Sequence, residues 1–330
     1  MSKEVDDPPV EEDDGQSEED DKKDVITATP QEIIDEINSK GEGTVQEWHE
    51  TITRNPPKID AFLNLSNASK NRFPNVLLYD KSRVRIHDKH GNDYYHASYV
   101  DSYDKAGGYI LSQAPFDEHT ETDFWRMCYQ CKPSLIILLT SLVGAGGKRM
   151  TKNFWPNTKQ EREFCQGNIR VRCSNVAQDR DHDTYELSML GPNSRGNKGS
   201  GGIKTQLIQF RKWVDDRQIP DNLLEFRAII KIAVARAEKD ERAGSVVMFV
   251  CPSGVHRCGT LAALDIILDR IAAEKKVGLI ETINIVRKQR YGCFTHFEHY
   301  AHVSDLVVRH SVSSGIVDPS CIGVRPSSGN

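Results

Sequence analysis

Apolar residues in this chain follow two spacings, one typical of buried strands and one typical of helices. Residues 246–251 form a short uncharged run rich in valine, as in a strand that is covered on both faces. Strands are predicted at 82–87, 94–99, 134–140, 205–210 and 246–251. Apolar residues three and four positions apart predict helices at 118–131, 223–242, 261–271, 279–290 and 296–310. The mixture of strands and helices predicts an α/β fold.

The two ends of the chain differ in composition from its centre. Residues 1–24 carry 12 acidic and 3 basic side chains, so residues 1–26 are predicted to be a disordered acidic tail. Residues 313–330, rich in Ser, Gly and Pro, are predicted to be a flexible C-terminal tail. Residues 27–312 then form a single domain.

Local signals mark two short helices and one flexible connection within that domain. Capping boxes at 29–32 and 44–47 each predict the start of a helix, the first with a proline at its first helical position. Residues 191–202, rich in Gly, Asn and Ser, predict a flexible hairpin connection.

Composition excludes several classes of protein. No apolar run approaches the ~18 residues that a membrane span requires, and the acidic start is unlike a signal peptide, so no membrane insertion is expected. Eight cysteines in 330 residues do not suggest a disulfide scaffold and predict thiols in a cytoplasmic protein. Beyond residue 24 the chain holds 36 acidic and 40 basic residues, a surplus too small to indicate binding of nucleic acid.

The strand at 246–251 ends in a cysteine and leads directly into a short loop and a helix. Cys251 and Arg257 flank the sequence Pro-Ser-Gly-Val-His. Loop N–H groups and the positive end of the helix dipole converge at such a turn and form an anion site. The same field lowers the pKa of a thiol, and a guanidinium grips a phosphoryl group with two hydrogen bonds. The spacing therefore predicts a thiol nucleophile below a phosphate site; the alternative is a buried cysteine that only packs.

Several segments resemble motifs of the protein tyrosine phosphatases and occur in that family's order. Ahead of the Cys-x5-Arg signature they are Lys70–Phe73, Tyr79–Val84, Asp93–Tyr99, Ser112–Pro115, Asp123–Met127, Phe154–Pro156 and Trp213–Pro220; Val286–Arg290 follows it. The resemblance implies the tyrosine-phosphatase fold, in which a central twisted mixed sheet is flanked by helices within a single domain.

The family's mechanism, carried over to this chain, gives roles to its reactive residues. Cys251 attacks phosphotyrosine and forms a cysteinyl-phosphate, while Arg257 holds the phosphoryl oxygens. An aspartate protonates the leaving phenolate. The loop that carries it is one residue longer than the family's pattern, so counting from Trp213 selects Asp215, which we slightly prefer, and counting back from Pro220 selects Asp216. No cofactor and no metal is implied.

The resemblance also implies which residues bind the substrate, and several depart from the family's pattern. They are Ser253, Gly254, Val255, His256 and Cys258 in the loop, Phe73 and Asn75 in the recognition segment, and Thr295 and His299, which stand where the family has water-placing glutamines. Cys258 replaces a hydroxyl that assists the sulfur, and Val250 replaces a histidine, so the pKa of Cys251 is expected to be less depressed. Asn75 replaces an aspartate that grips the substrate backbone.

Two functions therefore remain open. The first is a phosphatase that hydrolyses phosphotyrosine in proteins, favoured because the nucleophile, the arginine and a usable acid are all present. The second is a catalytically impaired pseudophosphatase that binds phosphotyrosine proteins and shields them, favoured by the replaced loop and water-placing residues. Phosphotyrosine-containing proteins are the expected partners of both.

Overall fold

The computed structural model describes residues 29–41, 43, 57–192, 202–240, 246–318 and 320. Contacts divide the chain into two compact units, Met1–Pro56 and Pro57–Asn330. The first unit contains helix α1 (Pro30–Lys40), which begins at the proline of the first predicted capping box. The predicted acidic tail 1–26, the capping box at 44–47, residues 193–201 of the hairpin connection and most of the C-terminal tail lie outside the described residues.

The second unit holds the remaining elements. Its helices are α2 (Asp60–Leu63), α3 (Glu118–Cys131), α4 (Leu223–Lys239), α5 (His256–Glu274), α6 (Leu279–Gln289) and α7 (Phe297–Ser313). Its strands are β1 (Arg83–Arg85), β2 (Tyr94–Val100), β3 (Tyr109–Gln113), β4 (Leu135–Leu138), β5 (Glu161–Phe164), β6 (Ile169–Gln178), β7 (His182–Leu190), β8 (Ile203–Phe210) and β9 (Val247–Cys251). Short 3₁₀ turns occupy Leu65–Lys70 and Ala145–Gly147.

The nine strands of the described residues form one mixed sheet. Their order is β1-β2-β3-β9-β4-β8-β7-β6-β5. The central strands β3, β9, β4 and β8 run parallel, and the outer pairs are antiparallel. Strand β9 lies between two parallel neighbours, which explains why its sequence is apolar at every position.

The two faces of β9 belong to different halves of the core. Val247, Phe249 and Cys251 pack on the face covered by α4, α5, α6 and α7. Met248 and Val250 pack on the opposite face, against Phe124 and Trp125 of α3 and their neighbours. Because side chains alternate along a strand, the last residue of β9 places its sulfur on the side where α5 begins, and Val250 is directed away from it.

The fold class is as predicted, a nine-stranded mixed sheet flanked by helices, with differences in detail. Strands β3, β5, β6 and β7 are not among the strands predicted from the sequence. Helix α5 begins at His256, five residues before the start predicted from the apolar spacing, because its first turn also forms the end of the loop after β9.

Candidate active site

The segment 251–257, here called the catalytic loop, turns tightly between β9 and α5. The carbonyl of Cys251 accepts hydrogen bonds from Ala114 N at 2.8 Å and from Gly254 N at 3.1 Å, which closes the turn. Gly254 has φ +68°, and a Cβ there would lie 2.4 Å from the backbone of Ser112 and Gln113. Only glycine fits this position, since the loop packs directly on the end of β3.

A buried arginine from beyond α6 fixes the same loop. Arg290 is fully buried and donates Nε to the carbonyl of Gly254 at 2.9 Å and Nη2 to that of Ser253 at 3.3 Å. Nη2 also donates to His96 Nδ1 at 2.9 Å, and His96 Nε2 donates to the carbonyl of Val76 at 2.9 Å. Burial and the charge of Arg290 lower the pKa of His96 to about 3, so the ring is neutral. These hydrogen bonds could not be predicted from the sequence, because they join segments that lie far apart along the chain.

Arg257 connects the catalytic loop to the opposite wall of the site. It lies in the first turn of α5, is fully buried, and donates Nη1 to the carbonyls of Leu139 at 3.0 Å and Trp213 at 2.7 Å. Its Nε donates to the Asp216 carboxylate at 2.8 Å, and its Nη2 is buried without a hydrogen-bond partner. Nη1 and Nε are therefore engaged with the protein, and Nη2 has no partner among the described residues.

Asp215 and Asp216 differ in position within the loop 213–220, here called the acid loop. Asp216 is half-buried and its carboxylate contacts Arg257. Asp215 is exposed, and its carboxylate accepts from the N–H of Arg217 at 2.8 Å, a local turn contact. The structure thus brings the Asp216 carboxylate to Arg257, whereas the described hydrogen bond of the Asp215 carboxylate stays within its own loop. Both aspartates line a cavity of about 290 Å³ beside Arg257.

The two residues in the water-placing positions are engaged differently. His299 is fully buried, with Nε2 2.6 Å from the carbonyl of Asp216 and Nδ1 2.5 Å from Thr260 Oγ1. Thr295 is exposed, and its hydroxyl donates to the carbonyl of Gly292 at 3.3 Å. His299 therefore belongs to the wall behind the acid loop, and Thr295 lies on the surface.

The sulfur of Cys251 has the environment of a thiolate. Burial raises its pKa, but hydrogen bonds from the side chain and the backbone of Cys258 and the charge of Arg257 outweigh this and lower the pKa to about 6. The carboxylate of Asp216 acts in the opposite sense. Ser253 Oγ lies 3.9 Å from the sulfur. Burial raises the pKa of Cys258, so Cys258 remains a thiol and can donate.

The thiol of Cys258 thus acts as a donor where the family pattern has a hydroxyl. Val250, which stands in the place of the family's histidine, packs in the other half of the core. The two remaining loop residues complete the turn. Val255 is fully buried with its N–H donating to Ser253 Oγ at 3.3 Å, and the ring of His256 lies 4.7 Å from that of His296.

The recognition segment contributes an arginine that the sequence analysis did not assign. Arg72 donates its backbone N–H to Gln113 Oε1 at 2.9 Å and Nη2 to the carbonyl of Arg149 at 3.0 Å. Burial lowers the pKa of Arg72, and the nearby Cys251 and Asp216 act in the opposite sense. Phe73 is half-buried below the Arg72 guanidinium, 5.4 Å from the ring centroid, and Asn75 is exposed.

Two general features of the described residues complete the site. No cluster of three His, Cys, Asp or Glu side chains there has an arrangement able to hold a metal ion. None of the helices in the described ranges combines the length and the apolar character that a membrane span needs.

Comparison with known proteins agrees with this geometry. Residues 67–309 match the family model described as protein-tyrosine phosphatase, so the chain belongs to the protein tyrosine phosphatase family. It is similar to receptor-type tyrosine-protein phosphatase zeta of Rattus norvegicus, with 30% identity over 256 residues that cover 75% of this chain and 11% of that protein. Against Tyrosine-protein phosphatase Lar of Drosophila melanogaster the identity is 29%, over 73% of this chain and 11% of the relative.

A third relative is covered more fully. Tyrosine-protein phosphatase non-receptor type 9 of Homo sapiens is 26% identical over 305 residues, which cover 88% of this chain and 50% of that protein. The chain therefore spans about a tenth of the first two relatives and half of the third. The family assignment confirms the resemblance found in the sequence, at an identity that marks a divergent member.

Proposed function

We propose that this chain hydrolyses phosphotyrosine in proteins through a cysteinyl-phosphate, with Cys251 as nucleophile, Arg257 as phosphate clamp and Asp216 as general acid. The observation that carries the proposal is the contact of Arg257 Nε with the Asp216 carboxylate at 2.8 Å, above a thiol whose pKa is lowered to about 6. Membership of the family supports dephosphorylation of phosphotyrosine in general terms.

In the first step the thiolate of Cys251 attacks phosphorus, and the bond from phosphorus to the tyrosine oxygen breaks. The phosphoryl oxygens bind the N–H groups at the start of α5 and the Nη2 group of Arg257, and an oxygen takes over the Nε contact of Asp216. The displaced carboxyl then lies beside negative charge, which favours its protonated form. It gives this proton to the phenolate as it leaves.

In the second step water attacks phosphorus and the sulfur leaves as a thiolate. Asp216, now ionised, accepts a proton from the water. The hydrogen bonds from the thiol and the N–H of Cys258 stabilise the departing sulfur. Phosphate is released, Asp216 gives its proton to solvent, and the carboxylate returns to Arg257.

Two neighbouring aspartates provide a matched test of this assignment. We expect Asp216→Asn to lower kcat for a phosphotyrosine peptide by about 10²- to 10⁴-fold, the range of a general acid. Asp215→Asn removes the same charge one residue away and is expected to leave kcat within about threefold of wild type. Steady-state kinetics of both variants decide the point, since a larger loss in Asp215→Asn would assign the acid to Asp215.

A second candidate function is capture without turnover. It is favoured by the position of the water-placing residues, because Thr295 is exposed and His299 is occupied by Thr260 and Asp216. With neither side chain directed at a nucleophilic water, hydrolysis would stall and phosphotyrosine proteins would be bound without sustained turnover. Rapid-quench kinetics combined with peptide binding separate the two functions: sustained release of phenol supports the phosphatase, and peptide binding with at most one phenol released per site supports the pseudophosphatase.

The proposal also includes the substrates and the cellular compartment of the reaction. Phosphotyrosine-containing proteins are the proposed partners, and the site needs no nucleic acid, metal or cofactor for the steps above. We place the reaction in the cytoplasm, because a nucleophilic thiolate next to a second thiol stays reduced only in a reducing compartment.

A further inference from the structure

A short hydrogen-bonded chain links helix α5 to the backbone of the acid loop. Thr260 Oγ1 lies 2.5 Å from His299 Nδ1, and His299 Nε2 lies 2.6 Å from the carbonyl oxygen of Asp216. The imidazole ring also lies 6.5 Å from the ring of Trp213, at the other end of the same loop segment. His299 and Trp213 are both fully buried.

The chemistry of the partners fixes the tautomer of His299. A carbonyl oxygen only accepts, so Nε2 carries the hydrogen that is donated to Asp216. Burial lowers the pKa of His299, so the ring is neutral and its Nδ1 is an acceptor. The hydroxyl of Thr260 has one hydrogen and lies near two acceptors, Nδ1 at 2.5 Å and the carbonyl of His256 at 2.8 Å. Donation to Nδ1, the shorter contact, orients the ring.

The contact holds the backbone of the residue whose side chain faces Arg257. Apart from the Asp216 carboxylate itself, Arg257 donates to the carbonyl of Trp213 and His299 donates to that of Asp216, while His302 binds the backbone of Pro220 at the far end of the loop. The Arg257 contact with the carboxylate is given up when a phosphoryl group binds. The His299 contact involves only the Asp216 backbone and does not compete with the ligand.

We propose that His299 is a positioning residue for the general acid, holding the Asp216 backbone over the catalytic loop while its carboxyl exchanges Arg257 for substrate. This inference rests on the proposed function, because it assigns His299 to the same reaction. It assigns His299 to the acid loop, whereas the sequence resemblance implied that residue 299 places a water molecule. Thr260 supports that role by orienting the ring.

The test compares His299→Leu, which removes both polar atoms, with His299→Gln, which can donate to Asp216 and accept from Thr260. His310→Leu is the matched control, since it makes the same change on α7 more than two turns further along, away from the acid loop. Each variant is assayed with a phosphotyrosine peptide and with p-nitrophenyl phosphate, whose more acidic phenol leaves without much help from an acid.

We expect His299→Leu to lower kcat for the peptide about 10-fold, the effect of one lost neutral hydrogen bond, with KM nearly unchanged. The loss on p-nitrophenyl phosphate is expected to be markedly smaller, and His299→Gln is expected to recover most of the peptide activity. Thr260→Val should give a smaller loss of the same kind. Equal losses on both substrates, or a glutamine variant that is as slow as the leucine variant, would overturn the inference.

A second readout does not depend on turnover. Hydrogen–deuterium exchange of the ligand-free protein should show faster exchange of the amides of residues 214–217 in His299→Leu than in wild type or His310→Leu. If wild type proves inactive, the proposed function fails while this measurement still decides whether His299 holds the loop. Unchanged exchange in His299→Leu would overturn the inference whatever the activity.

Discussion

The catalytic loop and the acid loop meet at one guanidinium but are held in different ways. The catalytic loop is fixed by its own backbone, since Cys251 and Gly254 close the turn and Gly254 packs against β3, and by the buried Arg290, which donates to two of its carbonyls. The part of the acid loop that faces the site is held by hydrogen bonds from side chains on neighbouring helices, Arg257 and His299.

This difference shows how the chain divides two requirements of phosphoryl transfer. The nucleophile and the anion site must be ready before the substrate arrives, and a rigid backbone achieves this. The acid must lie close to the leaving oxygen and also let substrate enter, so its loop is held by contacts that can break. Substitutions in the first region should therefore damage the protein broadly, and those in the second should affect single steps.

The largest expected effect comes from Gly254→Ala. The added Cβ would lie 2.4 Å from the backbone of β3, so the loop must rebuild. We expect kcat to fall by about 10²-fold or more, as for other displaced catalytic groups, with a stability loss of about 1–3 kcal/mol. Gly315→Ala is the control, because Gly315 also has φ +68° but its Cβ would meet no atom within 4 Å. Kinetics and thermal unfolding of both variants separate steric from backbone strain.

A smaller effect is expected from Cys258→Ala, which removes the thiol that hydrogen-bonds to the Cys251 sulfur. The pKa of Cys251 should rise from about 6 toward the ordinary thiol value. Activity that needs the thiolate is lost as the pH falls through this pKa, so the acidic limb of the profile should move to higher pH. The pH dependence of Cys251 alkylation by iodoacetamide measures the shift directly. If the midpoint does not move, the backbone N–H of residue 258 and the charge of Arg257 are sufficient to lower the pKa of Cys251.

Asp216→Asn is expected to shift the pKa of Cys251 in the opposite direction, downward. Its carboxylate raises the pKa of Cys251, so neutralising it should move the alkylation midpoint below that of wild type. Asp216→Asn should thus lower both kcat and the pKa of Cys251, a combination that is not expected from a change confined to the catalytic loop. The Asp215 carboxylate binds within its own loop, so Asp215→Asn should leave the midpoint where it is. If both variants shift it equally, general surface charge is responsible.

The smallest effect is expected from Thr295→Gln, which places an amide on the exposed rim. If the second step is slow for want of a group that places water, this variant should hydrolyse the cysteinyl-phosphate severalfold faster than wild type. Single-turnover decay of the phosphoenzyme is the measurement. Phosphoenzyme that decays equally fast in both proteins would show that residue 295 does not limit this step.

The sequence predicts those parts of the site that are local in the chain. Cys251 and Arg257 lie within one strand, loop and helix, so their spacing alone indicates an anion site, and the family resemblance confirmed the fold around them. Strand β9 is recognisable because it is buried on both faces. The same pattern could not show that Val250 faces the other half of the core, since that depends on the strand's exact register.

The remaining parts depend on contacts between distant segments. Asp215 and Asp216 are equivalent by counting, and they are distinguished only by where the acid loop turns toward Arg257. The link from His299 to Asp216 joins residues 83 positions apart. Arg290 likewise reaches a loop 36 positions away, so its spacing in a helical segment carries no information about the site.

The Asp216 carboxylate on Arg257 has a consequence for selectivity. It acts as a tethered competitor whose local concentration is unaffected by dilution, so any anion entering the site must displace it. Chloride, acetate and other weakly bound monoanions of the cell are poor rivals for a carboxylate already attached to the chain. A doubly charged aryl phosphate has the stronger attraction to a guanidinium and a helix terminus, and the site therefore carries its own threshold against common anions.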